Sequence, residues 1–452
     1  MTNRSKRIHG LPVSRRRALM GIGAAGLAAA GSSLPYARTA SAQGQVTLRW
    51  WSPQSAPAQL AAYKFQISQF EAANPGVKVA FEPTSDEGYP AQMAAAYASG
   101  EVPDLVTHIP SFAVASYFDK GLVEPFNDVI QAIGPAKYYP DANKTYEIKP
   151  GVFTGTGIGN TAADNLWVRR DLMAKAGINQ IPRTWDELRA ALKKMQGGGV
   201  FGAPLPFGKN SATSFVVTTF IHGAGGQLFT PDLQVAIASR ETENALEFYK
   251  SMRELCPPGA TNYSWGEMIT GFVSGATATG YYAGRVLVNV NTQNPSIADQ
   301  ITCTLYPTIS KDVPQASIND FPSVFIPKGV KNLAWSKKFA AFLFEPEGYI
   351  KQLLAAPGHV LPVLKTIGEN PTYLADPIIK KYPKEVELMT VSAAAGYNMG
   401  FESAKHKPNT KSVDIIASDA LSEMVQRVVL NGENAKMVAG DTAKKLEAIM
   451  KS

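Results

Sequence analysis

The sequence has little cysteine and no cluster of residues that would bind a metal. Its 452 residues include only Cys256 and Cys303, too few for an iron–sulfur cluster or a zinc site built on cysteine. In an oxidising compartment these thiols could form a disulfide or stay as two buried thiols, and both possibilities remain open. No second histidine or carboxylate at metal-ligand spacing accompanies His222 or His359, which are interpreted as structural. The sequence predicts no metal and no cofactor.

A long apolar run is also missing. Residues 18–31 are uncharged and rich in Gly and Ala, but the stretch is shorter than the roughly 20 apolar residues that span a bilayer. Arginines precede it and the small residues 40–42 follow it, which is typical of a cleaved export signal. The motif SRRRAL, which begins at Ser14, is similar to the twin-arginine signal, with Ala18 in place of the usual aromatic residue. We expect a leader over residues 1–42 and a periplasmic mature protein.

The chain without this leader has no excess of positive charge. The full sequence carries 44 Lys and Arg against 37 Asp and Glu, a net charge of +7. Residues 1–42 hold seven of the basic side chains and no acidic one, which leaves 37 of each sign. A neutral surface does not neutralise phosphates or anionic lipids in bulk. Nucleic acid is therefore not predicted as a partner.

Strand and helix patterns alternate in the first part of the mature chain. Residues 46–51, 77–83 and 102–110 have the apolar patterns of strands, and residues 58–71 and 91–101 between them have a helical period. This alternation predicts an α/β fold with a parallel sheet. Ligands bind such sheets beyond the carboxyl ends of the strands. The residues there are Trp51, Ser52 and Gln54 after the first strand, and His108, Ser111 and Phe112 after the third.

Glycines and helix caps mark two further features. The segment FTGTGIGN at 153–160 lacks the helix that follows a nucleotide-binding glycine motif, because a strand pattern comes next. We interpret it as a flexible crossover between two lobes. Thr184 with Glu187, and Ser264 with Glu267, have the spacing of capping boxes and predict helix starts.

Seven segments in this order resemble the extracellular solute-binding proteins of ABC importers, in particular the maltose-binding-like group that captures sugars. They are FEAANPGVKV, ASGEVPDLV, DKGLVEPFNDVI, RRDLMAKAGINQIPRTWDELRAALKKM, GFVSGATATGYYAG, KKFAAFLFEPEGYIKQLLAAPGHVLPV and VLNGENAKMVAGDTAKKLEAI. Each is also an ordinary helix or turn pattern, so the order carries the resemblance. It departs from the family at LWVRRDL, where the family has an aromatic residue and an asparagine before the lysine and aspartate, and at NDFPSVFIPKG.

The resemblance implies a two-lobed periplasmic binding protein fold whose lobes are joined by a hinge. Residues 43–154 would form the N-terminal lobe, with a return segment over about 306–350. Residues 155–305 would form the C-terminal lobe, completed by about 351–452. It also implies a monomer that docks on the membrane subunits of an ABC permease.

A sugar site needs aromatic faces for C–H groups and planar polar groups for hydroxyls. Trp51 is favoured over Trp50 because it ends its strand, and the resemblance favours Tyr282 over Tyr281. Asp164 is either a ligand contact or a cap, and Arg285 is either a surface residue or a partner for an anionic ligand. The candidate aromatic residues are Trp51, Phe112, Phe215, Trp265, Tyr281 and Tyr282, and the candidate polar residues are Ser52, Gln54, His108, Ser111, Asp164, Asn165, Ser214 and Arg285.

The function that these features indicate is capture of a carbohydrate or polyol in the periplasm and its delivery to a permease, without catalysis. One alternative is a binding protein for an anionic, sulfonated, phosphorylated or acidic glycoside, with Arg285 as its partner. A periplasmic glycoside hydrolase is a third hypothesis, but it needs two carboxylates flanking one cleft. Asp104, Asp164 and Asp171 do not form such a pair in the predicted elements.

Overall fold

The computed structural model describes residues 45–452 apart from residues 86–87, 141, 395, 401 and 404–405. The leader predicted over residues 1–42 lies outside this part of the chain. Among the helices that are described, none is both long enough and apolar enough to cross a membrane.

Twelve strands form within the described residues. They are β1 Val46–Ser52, β2 Val77–Pro83, β3 Leu105–Thr107, β4 Glu147–Lys149, β5 Val152–Phe153, β6 Thr156–Gly157, β7 Thr161–Ala162, β8 Asn165–Arg169, β9 Thr279–Tyr282, β10 Ile301–Thr304, β11 Asn319–Asp320 and β12 Ser323–Phe325. Three strands predicted from the first alternating patterns are confirmed as β1, β2 and β3.

Helices occupy most of the remaining described chain. They are α1 Pro57–Ala73, α2 Tyr89–Ser99, α3 Ser111–Asp119, α4 Asn127–Ile133, α5 Arg170–Lys175, α6 Trp185–Met195, α7 Ser211–Gly223, α8 Arg240–Met252, α9 Trp265–Val273, α10 Arg285–Gln293, α11 Leu333–Phe342, α12 Pro346–Leu353, α13 Lys365–Gly368, α14 Pro371–Leu374, α15 Pro377–Lys381, α16 Pro383–Ala394, α17 Ser412–Ala417, α18 Ala420–Val429 and α19 Ala435–Lys451. Short 3₁₀ helices cover Pro135–Lys137, Lys144–Tyr146, Arg253–Leu255, Pro258–Asn262 and Pro295–Gln300. The capping boxes predicted at Thr184 and Ser264 are both present, at the starts of α6 and α9.

The strands form two main sheets. The first sheet has the order β2, β1, β3, β12, β6. Its β1 pairs in parallel with β2 and β3, as the alternation of strands and helices predicts, whereas β12 is antiparallel to β3 and β6. The second sheet has the order β10, β8, β9 and is antiparallel.

The chain passes between the two sheets through a pair of short strands. β7 lies between β6 of the first sheet and β8 of the second, and β11 lies between β10 of the second sheet and β12 of the first. β7 and β11 pair with each other in antiparallel register. Both connections therefore run side by side, which is the geometry of a hinge with two strands.

The glycines of FTGTGIGN are closely packed, and their predicted role as a flexible crossover stays a prediction. None of Gly155, Gly157 and Gly159 has positive φ. A Cβ on Gly155 would lie 2.6 Å from the Val324 carbonyl oxygen, and one on Gly159 would lie 2.0 Å from the Val360 side chain. These glycines allow close approach of neighbouring segments, so packing explains them better than conformational freedom.

Trp50 fills the core beneath the first sheet. Its side chain is 0% exposed, contacts the rings of Tyr63, Phe81 and Phe339, and donates from Nε1 to Thr107 Oγ1 at 3.0 Å. The expectation that one tryptophan of the Trp50 and Trp51 pair is a core residue is confirmed.

Both cysteines are buried free thiols. Burial raises the pKa of the Cys256 thiol to about 12, and it raises the pKa of the Cys303 thiol on β10 well above the ordinary value. A thiol that stays protonated is a poor nucleophile and a poor metal ligand. Because both thiols are free, they do not form the disulfide that the sequence left open.

Candidate functional site

A polar cavity lies where β1 and β3 end, between α1 and the chain that follows α12. Its enclosed part holds about 20 Å³, enough for a water molecule, and the whole recess measures about 310 Å³ including space open to solvent. The enclosed volume is far below the roughly 300 Å³ or more of small-molecule sites, so a ligand enters only if the cavity widens. The lining residues are Gln54, Gln59, Tyr63, His108, Gln352, Leu353, Ala356, His359 and Val360.

Gln54 connects this cavity to the second sheet. Arg285 begins α10, directly after β9, and its Nη2 donates to Gln54 Oε1 at 3.2 Å. Ser52, at the end of β1, lies within 3.3 Å of His108 Nδ1 through its hydroxyl. The structure thus brings together four of the residues predicted from the sequence: Ser52, Gln54, His108 and Arg285.

His108 adopts an unusual backbone conformation that directs its ring into the cavity wall. Its φ is +64°, a left-handed conformation that non-glycine residues adopt infrequently and that histidine tolerates better than most. Nδ1 lies 3.0 Å from Thr107 Oγ1, and Nε2 lies 3.3 Å from Gln352 Nε2. Because the Gln352 amide donates to Nε2, we assign the ring proton to Nδ1.

The His108 ring is neutral. Burial, and to a smaller extent the charge of Arg285, lower the pKa of His108 to about 3. Burial also lowers the pKa of His359 well below its usual value, and the charge of Arg285 acts in the same direction. Both imidazoles therefore contribute one donor and one acceptor near neutral pH.

Protonation of His108 should make acid unfolding measurably steeper. The folded-state pKa lies below the value of 6.5 expected when unfolded, so this contribution to stability is complete above pH 6.5 and is lost as the pH falls. Between pH 7 and pH 5 the wild type should lose about 2 kcal/mol more than His108→Gln. Guanidinium unfolding at both values tests this. Backbone strain at φ +64° does not depend on pH, so it does not affect this comparison. If the wild type and His108→Gln lost equal stability between pH 7 and pH 5, the neutral state assigned to His108 would be wrong.

Four buried polar atoms at the cavity have no hydrogen-bond partner among the described residues. They are Gln59 Oε1, the Tyr63 hydroxyl, Gln352 Oε1 and His359 Nδ1. Buried polar groups normally have a partner, and each one without a partner costs free energy. The interpretation of His359 as a satisfied structural histidine is therefore wrong for its Nδ1 atom. His222 Nε2 also has no hydrogen-bond partner among the described residues, although it lies 3.4 Å from Glu402 Oε2 and its ring stacks on Tyr397 with 3.8 Å between ring centroids.

Gln59, Tyr63 and Gln352 line the cavity but were not predicted from the sequence. The buried face of α1 contains Gln59, Tyr63 and Gln66 together with Phe70. The two glutamines interrupt an otherwise apolar helix face, and this pattern could have predicted Gln59 and Tyr63 as site residues. Gln352 lies almost 300 positions later, on α12. Nothing local in the sequence relates it to α1.

A second group of predicted residues forms an aromatic cluster. Trp265, at the start of α9, meets Phe215 of α7 edge to face at 5.6 Å and Tyr282 of β9 at 5.9 Å. All three side chains are half-buried. Trp265 Nε1 points at Ser211 Oγ at 3.4 Å. Tyr282 precedes Arg285 by three residues in the chain.

Asp164 is buried in a network of its own. Its side chain is 1% exposed and accepts from Ser317 Oγ at 2.6 Å, Ile318 N at 2.7 Å and Thr219 Oγ1 at 2.9 Å. Tyr397 also donates to it at 3.4 Å. Burial raises the pKa of Asp164, although these hydrogen bonds oppose the increase. The carboxylate joins the two connecting segments to α7 and is outside the cavity lining.

Tyr281 belongs to the same network. Its hydroxyl lies 2.6 Å from Thr219 Oγ1 and its ring packs against Tyr306. The neighbouring Asn165 is fully buried, and its Nδ2 donates to Ala162 O. In this structure Tyr281 faces the interior and Tyr282 faces the aromatic cluster.

The remaining candidates are held by other contacts. Ser111 donates through N and Oγ to Asp320 Oδ1, each at 3.2 Å, and Phe112 beside it is buried. The Ser214 hydroxyl is directed at Asn210 O within its own helix. Trp51 is half-buried and donates to Glu82 Oε2 at 2.6 Å. None of these side chains lines the cavity, and their contact with a ligand stays a prediction.

No group of three or more metal-ligating side chains occurs within the described ranges. The cavity lining also contains no carboxylate. The amide, imidazole and phenol groups that line the cavity can donate and accept hydrogen bonds.

Comparison with known proteins gives a consistent result. The model of the bacterial extracellular solute-binding protein family matches residues 52–350. A putative ABC transporter periplasmic-binding protein of Escherichia coli, YcjN, is 22% identical over 398 residues, which are 85% of this chain and 88% of that protein.

Solved structures show the same two-lobed periplasmic binding protein fold. Maltose-bound MalE3 of T. maritima superposes with a TM-score of 0.77 at 19% identity, covering 89% of this chain and all of the other. A solute-binding protein of Agrobacterium radiobacter in complex with ribitol superposes with a TM-score of 0.75 at 18% identity, covering 89% and 98%. The family match covers well over half of the residues, and the chain belongs to the bacterial extracellular solute-binding proteins.

Proposed function

We propose that this solute-binding component of an ABC transporter captures a small carbohydrate or polyol at the cavity between Gln54 and His359. The observation that carries the proposal is the set of buried polar atoms without partners at the cavity, namely Gln59 Oε1, the Tyr63 hydroxyl, Gln352 Oε1 and His359 Nδ1. Hydroxyl groups of a ligand would provide those partners and remove the cost of leaving them unpaired.

The aromatic cluster supports the same ligand class. Trp265, Phe215 and Tyr282 are half-buried, Trp265 contacts both other rings, and Tyr282 precedes Arg285 by three residues. Their faces suit the C–H side of a sugar ring. The related proteins of known structure hold maltose and ribitol, a disaccharide and a polyol, so the fold accommodates both sizes.

Binding without catalysis is part of the proposal. Glycoside hydrolysis needs two carboxylates on either side of the bond that breaks. The residues that line the cavity include none, and Asp164 is occupied by four donors in a separate network.

A ligand panel tests this function. Protein that has been unfolded and refolded to remove carried solute is titrated by calorimetry with ribitol, glucitol, glucose, maltose and trehalose. We expect saturable binding of at least one, and Trp265→Ala should weaken that binding about tenfold. Trp335→Ala, a half-buried tryptophan on α11, is the matched control and should leave affinity unchanged. If no neutral or acidic sugar or polyol binds, the proposal fails.

We further infer export through the twin-arginine route to the periplasm, where the mature chain would act as a monomer and dock on its permease. The support is the motif at Ser14–Arg17 and the family's extracellular location. Replacing Arg15 and Arg16 by lysine should leave the precursor in the cytoplasm, as cell fractionation would show. The replacement Arg4→Lys is the control. Normal processing of the double variant would indicate the general secretory route.

A further inference from the structure

Arg285 is a partly buried cation whose hydrogen-bond partner is a neutral amide. Its Nη2 donates to Gln54 Oε1 at 3.2 Å, and no ion pair between described residues includes it. Several other described arginines are paired with carboxylates, as Arg49 is with Glu82 at 2.8 Å and Arg169 with Asp171 at 2.6 Å. A guanidinium in a partly desolvated position is stabilised by an anion that accepts two hydrogen bonds.

The charge of Arg285 acts on the cavity. It lowers the pKa of His108 and of His359, second only to burial at each ring. It also lowers the pKa of Tyr63, against a larger increase from burial. All three residues line the cavity, so the positive potential of Arg285 reaches it.

Nothing in the lining neutralises that potential. The polar lining side chains are three glutamines, two neutral histidines and a tyrosine. A cationic ligand such as a polyamine would meet Arg285 without a carboxylate partner. An anionic ligand would meet a cation and several hydrogen-bond donors, so electrostatic complementarity favours the anion.

The acceptors define the rest of the ligand. Gln59 Oε1 and Gln352 Oε1 are buried acceptors without partners, and both side chains are more than nine-tenths buried. They match the O–H groups of a polyhydroxylated chain or ring, which donate hydrogen bonds. The planar guanidinium matches a carboxylate, which accepts two parallel hydrogen bonds.

We propose that the site selects a small polyhydroxylated carboxylic acid, such as an aldonic or uronic acid, whose carboxylate binds Arg285 in place of the Gln54 amide. The hydroxyls pair with Gln59, Gln352 and His359. This inference rests on the proposed function and narrows its ligand class.

Matched neutral and acidic probes test it. Refolded protein is titrated by calorimetry with glucose and glucuronate, and with glucitol and gluconate. At least one acid should bind about tenfold or more tightly than its neutral partner, because the acid adds one charged contact. Its affinity should fall as salt rises from about 50 to about 500 mM. Glucose 6-phosphate is included to distinguish a carboxylate site from a phosphate site.

Variants of Arg285 test whether this residue causes the preference for the acidic probe. Arg285→Gln should remove the preference for the acid while changing the affinity for the neutral probe less than about threefold, and Arg285→Lys should keep part of the preference. Arg240→Gln, on an exposed position of α8, is the control. Equal losses for both probes in Arg285→Gln would overturn the inference, since Arg285 would then be a general donor.

The outcomes separate this inference from the proposed function. Neutral sugars that bind better than acids would overturn the inference and leave carbohydrate binding intact. Tighter binding of glucose 6-phosphate than of either acid would overturn the carboxylate assignment. Binding of none of these compounds, nor of the neutral panel, would overturn both.

Discussion

Replacing Gly284 by alanine should reduce ligand affinity at least about a hundredfold, which corresponds to about 2.7 kcal/mol. A Cβ at this position would lie 1.8 Å from the carbonyl oxygen of Gly358 and 2.6 Å from its carbonyl carbon. The backbone of Gly284 is already helical, with φ −65° and ψ −4°, so alanine adds no conformational strain. The whole effect is therefore steric.

The clash falls where the second sheet meets the cavity loop. Gly284 precedes Arg285, and Gly358 precedes the cavity residues His359 and Val360. To bring the new methyl group to an ordinary contact of 3.4 Å, either α10 or the loop must move. Either movement separates Arg285 from Gln54 or displaces His359, so the closed cavity cannot form as it does in the wild type.

Calorimetry with the tightest ligand from the probe panel measures this effect. Gly440→Ala on α19 is the matched control, because its Cβ would meet nothing within 4 Å and alanine is the better helix former. The control should bind normally and be slightly more stable. Wild-type affinity in Gly284→Ala would show that the loop yields without cost and that this contact does not hold the cavity closed.

The part of the site near strand ends could be predicted from the sequence because a general rule relates strand ends to ligands. Gln54 and His108 follow β1 and β3, and parallel pairing of those strands brings their ends to one edge. That rule needs only the order of the elements. It predicted two of the six polar residues that line the cavity.

The position of the other four polar lining residues depends on tertiary packing. α12 packs against α1 although their sequences are far apart, and this places Gln352 opposite His108 at 3.3 Å. No local period encodes such a contact. Asp164 shows the opposite case, in which a local pattern did not predict the contacts that the residue makes. Its position at the start of a strand suggested a ligand contact or a cap, but four donors from three distant segments surround its carboxylate. The lobe boundaries predicted near residues 154 and 305 stay predictions.

Removing the Asp164 carboxylate should destabilise the protein by about 3 to 5 kcal/mol in Asp164→Ala. The substitution leaves the Ile318 amide and the hydroxyls of Ser317 and Thr219 without their acceptor in a buried place. The network also joins the two connecting segments between the sheets. Its loss should therefore loosen the hinge as well as lower the free energy of unfolding.

Asp164→Asn should behave differently, because it keeps the shape and removes the charge. One amide oxygen can accept from Ile318 N and Ser317, while the amide nitrogen donates to the hydroxyls of Thr219 or Tyr397. Burial raises the pKa of Asp164 above its unfolded value of 3.8. The carboxyl group therefore contributes most to stability below that value, and the contribution is lost as the pH rises through the folded-state pKa.

Guanidinium unfolding between about pH 4 and pH 8 distinguishes the two variants, with coincident fluorescence and circular dichroism transitions as the check on two-state behaviour. Asp164→Asn should lie within about 1 kcal/mol of the wild type at the acidic end, where the wild-type side chain is closest to a neutral amide. Its relative stability should improve as the pH rises. A relative stability that falls with pH would mean that the ionised carboxylate is the favoured buried form, and that the four hydrogen bonds outweigh desolvation.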